Sequence, residues 1–434
     1  MNIREIACRT LLKMSASGGY SNLSLDAAIK KYEPDARDRA LLTQLVMGVI
    51  ERQVTLDYYI SALCNMDEGK IEPEVRTILR LGLYQLAFTD KIPDHAAVSE
   101  TVALAPRRAA GFVNAMLRNY LRRKNDIKLP DKAVDPIGYI SVKHGFPRPI
   151  CNVFVEQFGA QKTEAIFDAM NKPPRLTLRV NTAKTTVDSL LARFSERGID
   201  AGRTRLAHTG ITLTSMPLSE LPDFDSGEFT VQDEASQLCT AALDAKAGMN
   251  VIDVCSAPGS KSFGAAMDMN NDGEILAFDL HESKLSLIRS GAERLGLDII
   301  TARAADGRAF NGDLEAWADR VICDVPCSGF GVMAKKPEIR HKNPTESARL
   351  PEIQYDILEN CSKYVKRGGV LVYSTCTLLN EENDAVVDKF LSSHPEFSLQ
   401  SFKAGELDVP CGRMTLTPDE HATDGFYIAK LYRS

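Results

Sequence analysis

From Asn2 to Lys124 apolar residues recur three and four positions apart. The run "ARDRALLTQLVMGVIERQVTLDYYISAL" lines up Leu41, Leu45, Val46 and Val49, and "PEVRTILRLGLYQLAF" lines up Val75, Leu79, Gly82, Leu83 and Leu86. Each is the stripe of a helix with one face in a core. The pattern predicts an all-helical bundle over residues 1–140, with breaks at Pro73, Pro93 and Pro106. The polar, proline-rich run "NDIKLPDKAVDPIGYISVKHGFPRPI" then reads as a linker, set at residues 141–149. A small α+β region, 150–227, follows, with a helix near Cys151 to Met170, the strand "RLTLRVN", a helix near Val187 to Arg197 and short strands to about Phe224.

From Gly227 the pattern changes period. The strand-like runs "NVIDVCS", "EILAFDL", "IITARAA" and "DRVICDVP" alternate with helical or loop segments, and "GGVLVYST" and "GFYIAKLY" close the chain. Such alternation predicts an α/β, Rossmann-like domain over residues 228–434, a parallel sheet covered by helices on both faces. Ligands of such sheets bind beyond the carboxyl ends of the strands, so the loops there are where chemistry is expected.

Charge refines this division. The 434 residues carry a net charge of -6, yet residues 1–150 hold 22 Lys and Arg against 17 Asp and Glu. Within that basic front piece Arg107 to Lys124 has six cations and no acid. A solvated helix face and a phosphate-binding face both fit such a cluster. No window approaches the roughly 18 apolar residues of a membrane span, and the N-terminus lacks a signal-peptide core, so no membrane association and a cytoplasmic location are expected. The ten cysteines follow no disulfide spacing and no C-x-x-C pairs with histidines, so no metal is expected and most thiols should be buried core residues.

Three strand ends stand out. The first loop, "DVCSAPGSKS" from Asp253 to Ser262, has a Pro258-Gly259 turn that lets a ligand approach the backbone at the start of a helix. It lacks the upstream glycine of a phosphate loop and is not a G-x-G-x-x-G fingerprint. The second strand ends at Asp279, where ribose hydroxyls are met in sheets of this kind, and the third leads to Asp306, suited to an adenine amino group. Either acid alone is an ordinary loop cap. Together with the glycine turn they suit an adenosyl ligand without a pyrophosphate, a description that S-adenosylmethionine fits.

The helical run "KIPDHAAVSETVALA" followed by "GFVNAMLRNYL" resembles the NusB-like RNA-binding domain. More specifically, "DVCSAPGSK", "DVPCSGFG" and "STCTLLNEEN", in this order, resemble the RNA 5-methylcytosine methyltransferases of the Nol1/Nop2/Sun family. The resemblance implies methylation of carbon 5 of a cytosine in small-subunit (16S) ribosomal RNA, naked or in an early assembly intermediate; the oligomeric state is left open, with a monomer as the default. It implies Cys376 as the nucleophile that adds to carbon 6, because carbon 5 of cytosine attacks a methyl sulfonium only once the ring has become an enamine. A following helix N-terminus would lower the Cys376 pKa. It implies Asp324 as the group at N3, protonated in a dry pocket, and Cys327 as the residue that helps release the product. Cys255, Ser256, Ala257, Pro258, Gly259, Ser260 and Lys261, with Asp279, Asp306 and Asp324, would surround S-adenosyl-L-methionine.

The family loop usually reads C-A-A-P-G-G-K, so Ser256 and Ser260 depart from it, and Ser260 puts cofactor affinity in doubt. Phe330, after Cys327, suits either packing beneath its loop or stacking on RNA, with packing the preferred reading. Arg107 to Lys124 and the loop "MAKKPEIRHK" (Met333 to Lys342) are expected to clamp the RNA backbone, with Arg179 and Asn181 as further contacts. Rival readings are the same chemistry on transfer RNA, a ribosome-assembly protein without catalysis, and a redox pair of thiols, which the absence of C-x-x-C and of cofactor fingerprints disfavours.

Overall fold

The computed structural model describes residues 2–17, 21–64, 68–213 and 221–434. They form two compact units, Met1–Lys172 with Met333–Pro344, and Pro173–Val332 with Thr345–Ser434. Among the described residues no helix is long and apolar enough to cross a membrane.

The first unit holds nine helices among its described residues: α1 (Ile3–Ser17), α2 (Ser21–Tyr32), α3 (Ala36–Glu51), α4 (Gln53–Leu63), α5 (Pro73–Phe88), α6 (Asp94–Leu104), α7 (Arg107–Arg123), α8 (Pro136–His144) and α9 (Arg148–Met170). Pro73 opens α5, while Pro93 and Pro106 are the residues just before α6 and α7. Proline suits these places, where no intrahelical N–H bond is lost. Leu45, Val46, Val49, Leu79 and Leu83 are buried in one core, and fully buried Leu42, not half-buried Leu41, completes the α3 stripe. A Cβ on Gly48 would lie 2.0 Å from the Tyr84 ring, so a glycine there lets α3 approach α5 closely.

The stretch expected to be a linker is folded. Asp135 caps α8 by accepting from the Gly138 N–H at 2.9 Å, and Gly145 ends it in the left-handed conformation at φ 81°. Phe146 then stacks on Phe167 of α9 with ring centroids 3.8 Å apart. The prolines and short polar residues that read as a flexible spacer are caps and turns of a packed helix pair.

The excursion Met333–Pro344 belongs to this first unit, and Arg340 is 0% exposed within it. Its guanidinium donates to Asn171 Oδ1 at 2.7 Å and to the carbonyls of Met170 (3.0 Å), Met333 (3.3 Å) and Glu51 (3.4 Å), over the Phe146 ring. The expectation that this loop is an RNA clamp is corrected for Arg340, whose donors are consumed internally. Lys336 and Lys342 do remain exposed. Arg340→Met would orphan these acceptors in a dry site, so a loss of about 3 kcal/mol or more is expected. A lowered urea midpoint, followed by circular dichroism, is the check.

The second unit begins with β1 (Leu176–Val180), α10 (Val187–Glu196), β2 (Ala201–Arg203), β3 (Gly210–Leu213) and β4 (Phe229–Val231). The strands form an antiparallel sheet ordered β2-β3-β1-β4. Residues 214–220, within the region of expected short strands, lie outside the described residues. After α11 (Glu234–Leu243) come β5 (Met249–Asp253), α12 (Ser260–Asp268), β6 (Gly273–Asp279), α13 (Glu282–Leu295), β7 (Ile300–Ala304), β8 (Ala318–Asp324), α14 (Leu350–Tyr364), β9 (Val365–Thr375), α15 (Asp384–Ser393), β10 (Phe397–Leu399), β11 (Phe402–Ala404), β12 (Leu407–Val409), β13 (Arg413–Leu416) and β14 (Phe426–Arg433).

The large sheet runs β10-β14-β9-β8-β5-β6-β7, with β13 also on β14. Strands β5 to β9 pair in parallel, but β14 is antiparallel to β9, so the sheet is mixed rather than wholly parallel. Alternate residues face opposite cores: Val251, Ile275, Ile322 and Val372 pack with α11, α12 and α13, while Ile252, Leu276, Val321 and Leu371 pack with α14 and α15. The chain runs outward from β5 to β7 and returns to β8 on the other side of β5, which makes the β5/β8 junction the switch point where a crevice opens.

Candidate active site

At the end of β5, Asp253 is buried and accepts from Ser262 Oγ at 2.6 Å, and Ser262 Oγ lies 2.9 Å from Ser256 Oγ. Ser256, one of the departures from the family wording, therefore braces the loop from within. Burial pushes the Asp253 carboxyl up to about 6, opposed by the Ser262 hydrogen bond and reinforced by the Asp324 charge. Gly259 has φ 107°, and a Cβ there would lie 2.5 Å from the Phe263 ring, so the turn demands glycine. Ser260, half-buried, opens α12, and its carbonyl accepts from Gln232 Nε2 at 3.1 Å. The α12 N-terminus leaves backbone amides free toward a ligand. Cys255 is half-buried beside this loop and burial raises its thiol pKa well above the ordinary value.

The two strand-end acids lie around the same loop. Asp279 accepts from the Ala257 N–H at 3.2 Å and from the His281 N–H at 3.0 Å. Asp306 is held by Arg308, at 2.8 and 3.1 Å, and this pairing keeps its carboxyl below the usual range. A Cβ on the adjacent Gly307 would lie 2.9 Å from Val254 and 3.6 Å from Cys255 Sγ, so that loop passes close to the first one. A glycine turn, free helix amides and two acids with spare lone pairs fit an adenosyl group. They do not fit a pyrophosphate, because Lys261, the one cation of the loop, is turned away.

Lys261 is 7% exposed; its Nζ donates to Asp324 Oδ2 at 2.7 Å and lies over the Phe426 ring. Burial, the largest single influence, acts to lower its pKa, but Asp324, Cys239 and Asp253 together outweigh it and the net shift is upward. Ser374 Oγ donates to the other Asp324 oxygen at 2.6 Å. Both oxygens of Asp324 are thus engaged, one by the Lys261 ammonium and one by the Ser374 hydroxyl.

Beyond β8 and β9 the two cysteines meet. Asp324 is in register with Ser374, and the Sγ atoms of Cys327 and Cys376, 49 positions apart in sequence, lie 3.0 Å from each other. The Cys376 N–H also donates to Cys327 Sγ at 3.3 Å. The Cys327 pKa is raised well above the ordinary value, first by the Cys376 thiol, then by burial and the charges of Glu382 and Asp324. The expected helix N-terminus is not adjacent to Cys376: a 3₁₀ turn, Asn380–Glu382, intervenes and α15 begins at Asp384. Since the dipole effect fades within a turn, the other sulfur is the nearer influence on this thiol.

The residues between them lock the loops together. Ser328 Oγ and Thr377 Oγ1 are 2.7 Å apart, and the Gly331 N–H donates to the Cys376 carbonyl at 2.9 Å. Thr375 Oγ1 donates to Asn383 Oδ1 at 2.6 Å. Phe330 is fully buried, in line with packing beneath its loop. Sequence reasoning passed over Ser328, Ser374 and Thr377, whose only signal was the density of small hydroxyls flanking each cysteine.

Two further expectations are corrected. Arg179 and Asn181 are 2% and 0% exposed and serve packing rather than RNA contact. Arg179 pairs with Asp268 at 2.7 Å, and Asn181 Nδ2 donates to the Gly227 and Leu295 carbonyls, each at 2.9 Å. All six cations of Arg107 to Lys124 are exposed, with Val113, Leu117 and Tyr120 of α7 turned to the core.

Comparison with known proteins bears on this geometry. Residues 240–432 match the model of the 16S rRNA methyltransferase RsmB/F family, residues 1–122 the NusB family, and residues 146–218 the ferredoxin-like domain of RsmF/B-like methyltransferases. A Bacillus subtilis protein named probable ribosomal RNA small subunit methyltransferase B is 38% identical over 99% of this chain and 98% of its own length. The Pseudomonas putida ribosomal RNA small subunit methyltransferase B is 34% identical over 100% and 99%. Among solved structures, that of PH0851 superposes with a TM-score of 0.81 at 26% identity, covering 100% of this chain and 99% of that one. A methyltransferase homolog from Pyrococcus horikoshii covers 68% of this chain and 98% of its own at 31% identity, with a TM-score of 0.60. With its helical NusB domain, ferredoxin-like region and mixed α/β methyltransferase domain, this chain belongs to the RsmB/F family of 16S rRNA methyltransferases.

Proposed function

We propose that the protein methylates carbon 5 of a cytosine in 16S ribosomal RNA through a covalent bond between Cys376 and carbon 6. The observation that carries this reading is the contact of two thiols, 3.0 Å apart, beyond adjacent parallel strands and beside the Lys261–Asp324 pair. The β5 loop with Asp279 and Asp306 would hold S-adenosylmethionine, which would supply an electrophilic methyl group.

The steps left to the chain follow from its residues. Cys376 loses its thiol proton to water and its Sγ lone pair bonds to carbon 6; the C5=C6 pair shifts to C4–C5 and the C4=N3 pair onto N3, which leaves an enamine nucleophilic at carbon 5. Asp324 faces N3, and the Lys261 ammonium supplies the positive charge that electron movement toward N3 requires. Once carbon 5 is methylated its proton must leave before the C6–S bond breaks. Cys327 takes part in this release. Its Sγ lies 3.0 Å from the sulfur whose bond to carbon 6 must break, within reach of the carbon 5 proton directly or through water. The target base must also leave its stack at a cost of a few kcal/mol, least for a looped base. The exposed basic face of α7 suits backbone contacts.

The test incubates the protein with methyl-labelled S-adenosylmethionine and either unmodified small-subunit ribosomal RNA or transfer RNA, and maps the labelled base. Label on carbon 5 of a ribosomal cytosine is expected. Label on transfer RNA overturns the substrate assignment, and no label on either favours a binding protein without catalysis.

A further inference from the structure

Glu382 is 1% exposed in the 3₁₀ turn that follows Cys376, and no cation pairs with it among the described residues. Its Oε2 accepts from the Ser328 N–H at 3.0 Å and from Gln354 Nε2 at 2.8 Å. Gln354, fully buried on α14, donates at the same time to the Pro326 carbonyl at 2.9 Å. The residues before and after Cys327 are therefore both tied to one carboxylate. The turn itself is tied to β9, since Tyr373 Oη donates to the Glu382 carbonyl at 2.6 Å. That strand leads into Cys376, so the bracket sets the height of one sulfur against the other.

A carboxylate buried without a cation is costly, and its second oxygen, Oε1, is also buried without a partner. An apolar side chain would fill the same space more cheaply. We propose that Glu382 is a positioning residue that holds Cys327 against Cys376 and so serves the release of methylated RNA rather than the formation of the adduct. This rests on the proposed roles of the two cysteines.

The physical basis is that Cys376 sits on the strand's own continuation, whereas Cys327 lies in an irregular loop with no ladder to fix it. A displacement of about 1 Å lowers a rate by about two orders of magnitude when groups must meet in one geometry. Loss of the bracket should then spare the first methyl transfer and slow the second half of the cycle.

The experiment uses the full chain with unmodified small-subunit ribosomal RNA and methyl-labelled S-adenosylmethionine. Glu382→Met, similar in length but without an acceptor, is expected to keep single-turnover methyl transfer within about three-fold of wild type while steady-state turnover falls at least about ten-fold. Protein–RNA adduct stable to denaturant should accumulate, and Glu382→Gln, which restores an acceptor, should recover turnover relative to Glu382→Met. Gln354→Ala removes the other arm of the bracket and decides the matter if Glu382→Met fails to fold. Cys327→Ala is measured alongside. If it forms adduct and the folded bracket variants do not, the proposal for Glu382 is overturned. If Cys327→Ala itself forms none, the assigned role of Cys327 fails and the proposal falls with it.

Discussion

Cys376→Ala is expected to abolish methyl transfer, by about four orders of magnitude or more, and to form no covalent complex with RNA. Cys327→Ala is expected to behave differently: it transfers one methyl group and then stalls, leaving a protein–RNA band that survives denaturing electrophoresis. The two thiols touch at 3.0 Å, so simple disruption of the pocket should affect both variants alike. A difference in adduct chemistry can only come from a division of labour. Cys376 continues directly from β9, in the register that places Ser374 beside Asp324, whereas Cys327 lies three residues beyond the end of β8. Adduct with Cys376→Ala and none with Cys327→Ala would reverse the roles.

The second large effect concerns the Lys261–Asp324 pair. Asp324→Asn leaves an ammonium whose side chain is 8% exposed against the Phe426 ring, and about 3 kcal/mol of destabilisation is expected because an uncompensated buried charge remains. Lys261→Met should cost less stability, because the Asp324 side chain is 29% exposed and water with Ser374 can still serve its oxygens. Both variants should lose about two to four orders of magnitude of methyl transfer, since the proposed mechanism puts the pair where charge develops on the base. The double variant should recover stability but not activity, as replacing both partners removes the unpaired charge. Thermal denaturation and single-turnover assays on the same preparations separate the two effects. In pH terms, the Lys261 pKa is raised on folding, so the stability from this pair is complete below the unfolded lysine value and is lost only as pH rises through the higher folded value. Neutral and mildly acid conditions should leave it intact.

Some features could be read along the chain because they depend on each residue's own neighbours. The helical stripes of α3 and α5, the strand pattern from β5 to β9, the proline starts and the glycine turn at Gly259 are local matters of period and backbone freedom. Other readings failed for the same reason. The stretch 141–149 looked like a spacer because proline and polar residues mark caps as readily as linkers, and its folding depends on Phe146 finding Phe167. Arg340 looked like a cation for RNA, yet its donors meet oxygens of two distant segments, at Glu51 and at Met170–Asn171, and of nearby Met333. Arg179 lies in β1 and Asn181 just past its end, positions that read as half exposed until their neighbours are known.

Periodicity along this chain sufficed for the three-part organisation and for the loops that carry the chemistry, because burial of one face imposes a period that each segment displays alone. The chemistry within those loops belongs to the folded protein. Strand order brings Cys327 to Cys376, register puts Ser374 against Asp324, and packing turns Lys261 inward and encloses Glu382. These pairings set the charge and the spacing of the reacting groups, and both depend on which distant segments become neighbours.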